Sequence, residues 1–200
     1  MENKHEKLTL NVVIPVYNEA AELEESVTTL VRFLGEHMSD FAWIITIVDN
    51  ASTDETMDIA RRLAVKHKTI QALHLSEKGR GRAVKYAWTH TPTDISAYMD
   101  VDLSTDLKHF PTLVRSLLRG YDVAIGSRNA WRARVYGRSL LRTITSKGYI
   151  FLVKLMFFVN FSDAQCGFKA VPRRVVGDII PRVKDNEWFF DTEFLIIAEK

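Results

Sequence analysis

The sequence predicts an α/β domain with a mostly parallel central sheet flanked by helices, and three observations carry that expectation. Short β-rich apolar runs alternate with amphipathic stretches from Leu10 to Gly126, and strands alternating with helices of about 10–15 residues are the pattern of βαβ units. Of the 200 residues, 46% are hydrophobic, enough for one sizeable core and too many for a disordered chain. Nine Gly and five Pro are too few for a linker-rich or collagen-like chain.

Taken in order, Leu10–Val16 (LNVVIPV) reads as a buried strand and Glu19–Leu34 has helical spacing. Trp43–Val48 is a second strand. Ser52, with Glu55 three residues on, has the form of a capping box that opens the next helix. Thr69–Leu75 is strand-like, Arg82–Thr91 helical, Ile95–Met99 a strand, Leu107–Arg119 a helix and Val123–Gly126 a strand. The second half changes character. Arg128–Lys147 is basic and suits one or two amphipathic helices, whereas Tyr149–Phe161 is almost wholly apolar over only 13 residues. That length fits a core, re-entrant or interfacial helix better than a spanning one. Gly167–Val171 suits a further strand, and Asp191–Lys200 begins a helix without a stop signal, so the domain is expected to continue past Lys200. Residues 1–200 are expected to form one domain, with 129–161 as a basic and apolar segment facing a membrane.

The single Cys excludes a disulfide framework and fits a reducing compartment. Met1–Lys7 is polar and charged, which is not the start of a signal peptide. The net charge of +2 conceals an asymmetry. Between Asp122 and Asp163 there is no acidic residue, but Arg128, Arg132, Arg134, Arg138, Arg142, Lys147 and Lys154 lie there, so 7 of the 27 basic residues sit in that segment. The remaining 20 face 25 acidic residues. Such a block suggests an anionic partner. No recognised RNA- or DNA-binding signature accompanies it, which argues against nucleic acid.

In parallel sheets ligands sit beyond the carboxyl ends of the strands, so those loops hold the candidate site. After the first strand comes Pro15-Val16-Tyr17-Asn18-Glu19. Tyr17 can stack on a flat ring, while Asn18 and Glu19 read equally as a helix cap and a dipole partner. After the second comes Asp49-Asn50-Ala51-Ser52, with polar groups fit for a nucleoside or for an Asx turn. Lys78-Gly79-Arg80-Gly81 follows the third strand. It lacks the third Gly and the first-strand position of a dinucleotide fingerprint, but a basic Gly-rich loop entering a helix suits phosphate. After the fourth strand, Asp100 and Asp102 flank Val101, and Ser104 follows. Paired carboxylates after a buried strand are costly unless a cation satisfies them, and hard oxygens suit Mg²⁺ or Mn²⁺ bridging a diphosphate; a helix N-cap by Asp102 or Ser104 is the alternative, but it gives Asp100 no role. Gly126-Ser127-Arg128 ends the fifth strand, where Arg128 offers either a fork for phosphate or a surface ion pair.

As an ordered set, the PVYNE, VDNASTDET, KGRGRAV, DVD and IGSR segments resemble the family 2 glycosyltransferases, which have the GT-A nucleotide-diphosphosugar transferase fold. DAQCGFK at 163–169 and WFFDTE at 188–193 make the chain similar to polyprenyl-phosphate sugar synthases, the dolichyl-phosphate β-glucosyltransferases above all. The resemblance implies a nucleoside site lined by Pro15, Tyr17, Glu19, Val48 and Asn50, with Lys78 and Arg128 near the phosphates. It implies a metal and diphosphate held by Asp100, Asp102 and Ser104. The loop commonly read Asp-Asp-Gly-Ser is here Asp49-Asn50-Ala51-Ser52, which leaves the base open.

The reaction this implies is inverting transfer of a sugar to a polyprenyl phosphate, with UDP-glucose the favoured donor and GDP-mannose the other candidate. Asp102 and Asp191 are the catalytic candidates. Asp191 stands where relatives with hydroxyl acceptors carry a base, but reads equally as a helix N-cap. Lys169 and Arg173 are candidates for the acceptor phosphate or for ion pairs at a sheet edge. An acceptor phosphate is already anionic, whereas a saccharide or glycolipid hydroxyl needs a general base. An inactive nucleotide-sugar binding module is the non-enzymatic alternative. The +7 segment, with Trp131, Tyr149, Phe151, Phe157 and Phe158, suits a peripheral enzyme at the cytoplasmic face of a membrane. Basic residues there are worth about 1 kcal/mol each at an anionic surface.

Overall fold

The computed structural model describes residues 6–129 and 140–200. In chain order the elements are β1 (Thr9–Val16), α1 (Leu23–His37), β2 (Ala42–Asn50), α2 (Thr56–Lys66), β3 (Ile70–Leu75), α3 (Arg80–His90) and β4 (Ile95–Met99). A 3-10 turn at Leu107–His109 then leads into α4 (Phe110–Leu117), followed by β5 (Ala124–Ile125), α5 (Leu140–Phe157), β6 (Phe168–Pro172), α6 (Arg173–Ile179) and α7 (Phe190–Glu199). They surround one six-stranded sheet of order β3-β2-β1-β4-β6-β5.

The first four strands pair in parallel, β1 with β2 from Thr9↔Ala42 to Val16↔Asp49. Strand order reverses between β1 and β4, and a ligand crevice is expected outside the carboxyl ends at such a switch point. Strand alternation divides the core into two layers. Leu10, Val12, Ile14 and Val16 of β1 point to one face with Ile45, Ile47, Ala97 and Met99, and α1 lays Leu23, Val27, Leu30 and Leu34 on it. These helix residues recur at intervals of three and four, forming one stripe that stabilises by about 1.5–3 kcal/mol per fully buried side chain. Val13, Val48 and Tyr98 face the other way and meet Trp88 of α3 with Phe190 and Phe194 of α7.

Three features differ from the sequence-based expectation. Glu19 does not begin a helix: α1 starts at Leu23, and Asn18 takes a left-handed φ of 55° that interrupts helical geometry. The Ser52/Glu55 capping box does not form, because Ser52 Oγ instead accepts from Asn18 N–H at 2.9 Å and α2 starts only at Thr56. The last strand of the sheet core, β6, runs antiparallel to both β4 and β5, from Ile95↔Pro172 to Met99↔Phe168. Helix α6, directly after it, had no distinct signal in the sequence.

Candidate active site

The loops after β1 and β2 are tied to each other. Besides the Asn18–Ser52 bond, Thr53 N–H donates to Asn18 Oδ1 at 2.8 Å and Glu19 N–H donates to Thr56 Oγ1 at 2.8 Å. Asn18, Ala51 and Leu103 all have positive φ, of 55°, 60° and 46°, and all lie in loops at this end of the sheet. Such conformations in residues other than Gly persist only where surrounding contacts impose them, and they cluster at functional sites.

Tyr17 and Lys78 meet across the crevice, with Lys78 Nζ 3.6 Å from the ring centroid. Pro15 is half-buried, opposite Val48 in the β1–β2 register. Val48 itself belongs to the core with its side chain fully covered, so the expectation that it lines a nucleoside site is corrected: a valine at that position of β2 points inward. Asn50 is buried, and its Oδ1 accepts from Gly79 N–H at 2.7 Å, holding the loop that opens α3. Asp49 is buried too, with His74 Nδ1 2.6 Å from its Oδ2.

Asp100 and Asp102 leave the carboxyl end of β4 beside this loop pair. Asp102 is exposed and accepts from Ser104 N–H at 2.9 Å. Asp100 is half-buried and ion-paired to Arg80, Nη2 to Oδ1, at 2.6 Å. Burial first, then the charges of Asp102 and Asp191, push the Asp100 carboxyl up, with Arg80 working against them. Glu19 is also raised, by burial and by Glu22, Asp102, Asp54 and Asp100. Glu19, Asp100 and Asp102 therefore share one field and crowd negative charge into the crevice mouth. Gly167 closes the floor: a Cβ there would lie 2.1 Å from Asp100 Oδ2 and 2.5 Å from Arg80 Nη2. Arg80, Tyr98 and Gly167 were not picked out by sequence reasoning; Arg80 had a signal, as the cation between the two glycines of the basic loop.

The C-terminal candidates need correction. Lys169 is fully buried and donates to Asp191 Oδ1 at 2.7 Å, Tyr98 Oη at 3.1 Å and Cys166 O at 2.5 Å, so its ammonium is spent inside the protein. Asp191 is likewise buried in the first turn of α7 and accepts from the Tyr98 hydroxyl as well; it is neither the N-cap nor a solvent-facing base. Arg173 is exposed at the opposite end of the sheet, its N–H donating to Asp94 O at 2.9 Å. Because β6 is antiparallel, its carboxyl end lies beside Ile95 and not beside Met99. Arg128 turns its fork onto Asp163, Nε–Oδ2 2.8 Å and Nη2–Oδ1 3.0 Å, in place of facing the crevice freely.

Two carboxylates and a serine fit a hard divalent cation that completes its shell with substrate oxygens, which is how Mg²⁺ is usually held. Among the described residues no three His, Cys, Asp or Glu side chains gather to hold a metal unaided. The donor set of Asp100, Asp102 and Ser104, gathered just past the carboxyl end of β4, is what favours a cation here.

Helix α5 presents Leu141, Ile144, Phe151, Leu155 and Met156 to solvent, each 60–71% exposed. Tyr149, expected to insert into a membrane, is half-buried and bonds Thr192 of α7 through its hydroxyl at 2.7 Å. Trp131, Arg132, Arg134 and Arg138 lie outside the described residues. Among the described residues no helix is long and apolar enough to cross a membrane.

The fold recurs in solved structures. A mannosyltransferase from Pyrobaculum calidifontis in complex with GDP-Man and Mn²⁺ matches over 95% of this chain and 52% of its own, with a TM-score of 0.60 at 18% identity. Glucosyl-3-phosphoglycerate synthase from Mycobacterium tuberculosis, with Mn²⁺ and UDP bound, matches over 84% of this chain and 58% of its own, with a TM-score of 0.59 at 19% identity. The architecture is that of the GT-A glycosyltransferases. In sequence, the chain is 37% identical over 194 residues to glycosyltransferase AglD of Haloferax volcanii, covering 96% of this chain and 31% of that protein. It is 29% identical over 218 residues to the dolichyl-phosphate beta-glucosyltransferase of Saccharomyces cerevisiae, covering 98% and 65% respectively. The chain thus spans less than two thirds of these relatives. Residues 11–180, nearly the whole of the sheet and its strand-end loops, match the profile of Glycosyl transferase family 2, and the chain belongs to that family.

Proposed function

We propose that this chain is the sugar-transferring domain of an inverting enzyme that moves a hexose from a nucleotide donor to a polyprenyl phosphate of the dolichyl type. The observation that carries this reading is the Asp100/Asp102 pair at the switch point, set in a crowded acidic mouth beside the tied loops of β1 and β2. Asp100, Asp102 and Ser104 would hold Mg²⁺ or Mn²⁺, which supplies Lewis-acid neutralisation of charge on the departing diphosphate. Tyr17, Pro15, Asn50 and Glu19 would frame the nucleoside, and Lys78, held over Tyr17, would reach the phosphates.

The state of Asp191 favours a phosphate acceptor over a hydroxyl. A general base must reach the proton it takes. Asp191 is covered and already accepts from Lys169 and Tyr98, so it is poorly placed for that task. A phosphate acceptor arrives as an anion and needs only positioning at the anomeric carbon. UDP-glucose is the favoured donor because relatives along nearly the whole chain are dolichyl-phosphate beta-glucosyltransferases. GDP-mannose is the second candidate, since the chain is also 30% identical over 171 residues to a dolichol-phosphate mannosyltransferase of Pyrococcus furiosus. The apolar face of α5 and the basic block before it would rest on the cytoplasmic face of a membrane, presenting the crevice to the lipid headgroup.

The test is transfer of labelled glucose or mannose, from UDP-glucose or GDP-mannose with Mg²⁺, to polyprenyl phosphate in anionic vesicles, with an alkyl glucoside as the hydroxyl acceptor. Label in the lipid phosphate supports the proposal. Label in the glucoside alone selects the hydroxyl reading, and donor binding without any transfer selects an inactive binding module.

A further inference from the structure

Arg80 occupies an unusual position. Its side chain is 14% exposed, opens α3, and touches Asp100 through a single nitrogen, Nη2, at 2.6 Å. Its Nε is buried without an acceptor, so the Nε–Nη2 edge of the fork is used through Nη2 alone and the contact with Asp100 is not bidentate along that edge. The guanidinium has two aromatic rings near it, 4.9 Å from the centroid of Trp188 and 5.7 Å from that of Tyr98. Both rings are within reach of a cation–π attraction, which adds to the hold of Asp100 on the guanidinium. Two further cations feel the Asp100 charge, and both are committed elsewhere: Lys169 is fully buried on Asp191, and Arg128 is bonded to Asp163. Arg80 is therefore the cation paired directly with Asp100 among the described residues.

We propose that Arg80 has two successive partners: it neutralises Asp100 while the carboxylates are empty, and passes to a phosphate oxygen of the substrate once Asp100 is engaged by a divalent cation. This rests on the metal and phosphate reading above and adds a residue to it. Asp100 cannot present both oxygens outward while Oδ1 accepts from Arg80, so Arg80 competes with the cation for that carboxylate. Released from Asp100, its fork would match a phosphate edge-on. Gly167 fits this arrangement, since any side chain there would intrude on both Asp100 and Arg80. The phosphate can come from the nucleotide diphosphate or from the acceptor monophosphate; the chemistry at Arg80 is the same.

The two roles give effects of opposite sign in one variant. In Arg80→Gln, Mn²⁺ binding without nucleotide, followed by electron paramagnetic resonance of the free ion, is expected to tighten about threefold or more as the competing charge is lost. With Mn²⁺ saturating, the affinity for UDP or for dodecyl phosphate is expected to fall about tenfold or more, the loss of a charge-assisted hydrogen bond. Whichever ligand weakens identifies the source of the phosphate. Arg80→Lys keeps the charge but not the fork. It should hold Mn²⁺ affinity near that of the unaltered protein and still weaken the phosphate ligand, which keeps the test usable if the Gln variant does not fold. Unchanged or weaker Mn²⁺ binding in Arg80→Gln, or UDP and dodecyl phosphate both bound as before, would overturn the proposal. If the unaltered protein binds neither Mn²⁺ nor UDP, the metal and nucleotide reading itself fails.

Discussion

The crevice has two walls built on different physics. The wall from β1 and β2 is held by short polar side chains capping backbone N–H groups: Asn18 to Thr53, Ser52 to Asn18, Thr56 to Glu19. The wall from β6 and α7 is held by a buried ion pair, Lys169–Asp191, bonded through Tyr98 to the strand that carries Asp100. Among the described residues the first arrangement takes no ion pair between its loops out of water and leaves Glu19 half-buried at the mouth. The second takes two charges out of water, and loss of either partner strands the other. It follows that variants in the second wall should disturb the fold before the chemistry, and variants in the first should act locally.

The sharpest contrast comes from the pair itself. Lys169→Met leaves Asp191 buried without its cation and is expected to cost about 3–5 kcal/mol of stability in urea unfolding. Adding Asp191→Leu to that variant should restore most of the loss. A single variant that unfolds at the same urea concentration as the unaltered chain would break the comparison. Next in size is Gly167→Ala, whose Cβ would meet Asp100 and Arg80. Overpacking of this kind costs about 1–3 kcal/mol, and metal-dependent nucleotide binding should weaken with it.

In the first wall the effects should be smaller. Asn18→Ala loses the acceptor for Thr53 N–H and places an alanine at φ 55°, for about 1–2 kcal/mol, whereas Asn18→Gly removes only the hydrogen bond and should cost less. Equal losses in denaturant melts would mean that the backbone there is not strained. The smallest effect concerns Asp163. Burial raises its carboxyl, but the hydrogen bonds and charge of Arg128 outweigh that and hold it below the ordinary carboxylate range. A lowered carboxyl adds stability above its unfolded pKa and loses it as the pH falls through the folded value. Stability between about pH 5 and pH 2 should therefore fall more steeply in the unaltered protein than in Arg128→Gln.

What could be read from the sequence divides along the same line. In the parallel half, each strand ends where a candidate-site loop begins, so the chain positions of Tyr17, Lys78 and Asp100, and of Asn50 at the end of β2, could be read from the alternation of elements alone. Local pattern failed at the helix starts, as when Ser52 bonded Asn18 and not its own helix and when the left-handed Asn18 kept Glu19 out of α1. In the other half the strand-end rule reverses. Nothing local marks β6 as antiparallel, yet that direction sends Arg173 to the far end of the sheet. The alternation of side chains in the same strand turns Lys169 inward to Asp191, a residue 22 positions away. Val48 was misplaced for a related reason: a motif position names a place on the chain, whereas strand alternation decides which face its side chain takes.

The central claim is that Asp100 and Asp102 make nucleotide binding depend on a divalent cation. Calorimetric titration with UDP and then GDP, each with Mn²⁺ and with EDTA, on the unaltered protein and on Asp102→Ala, tests it most directly. The account predicts binding of one nucleotide with Mn²⁺, little or none with EDTA, and loss of the metal-dependent part in the folded variant. Equal affinity with Mn²⁺ and with EDTA, or an Asp102→Ala variant that binds like the unaltered protein, would contradict it.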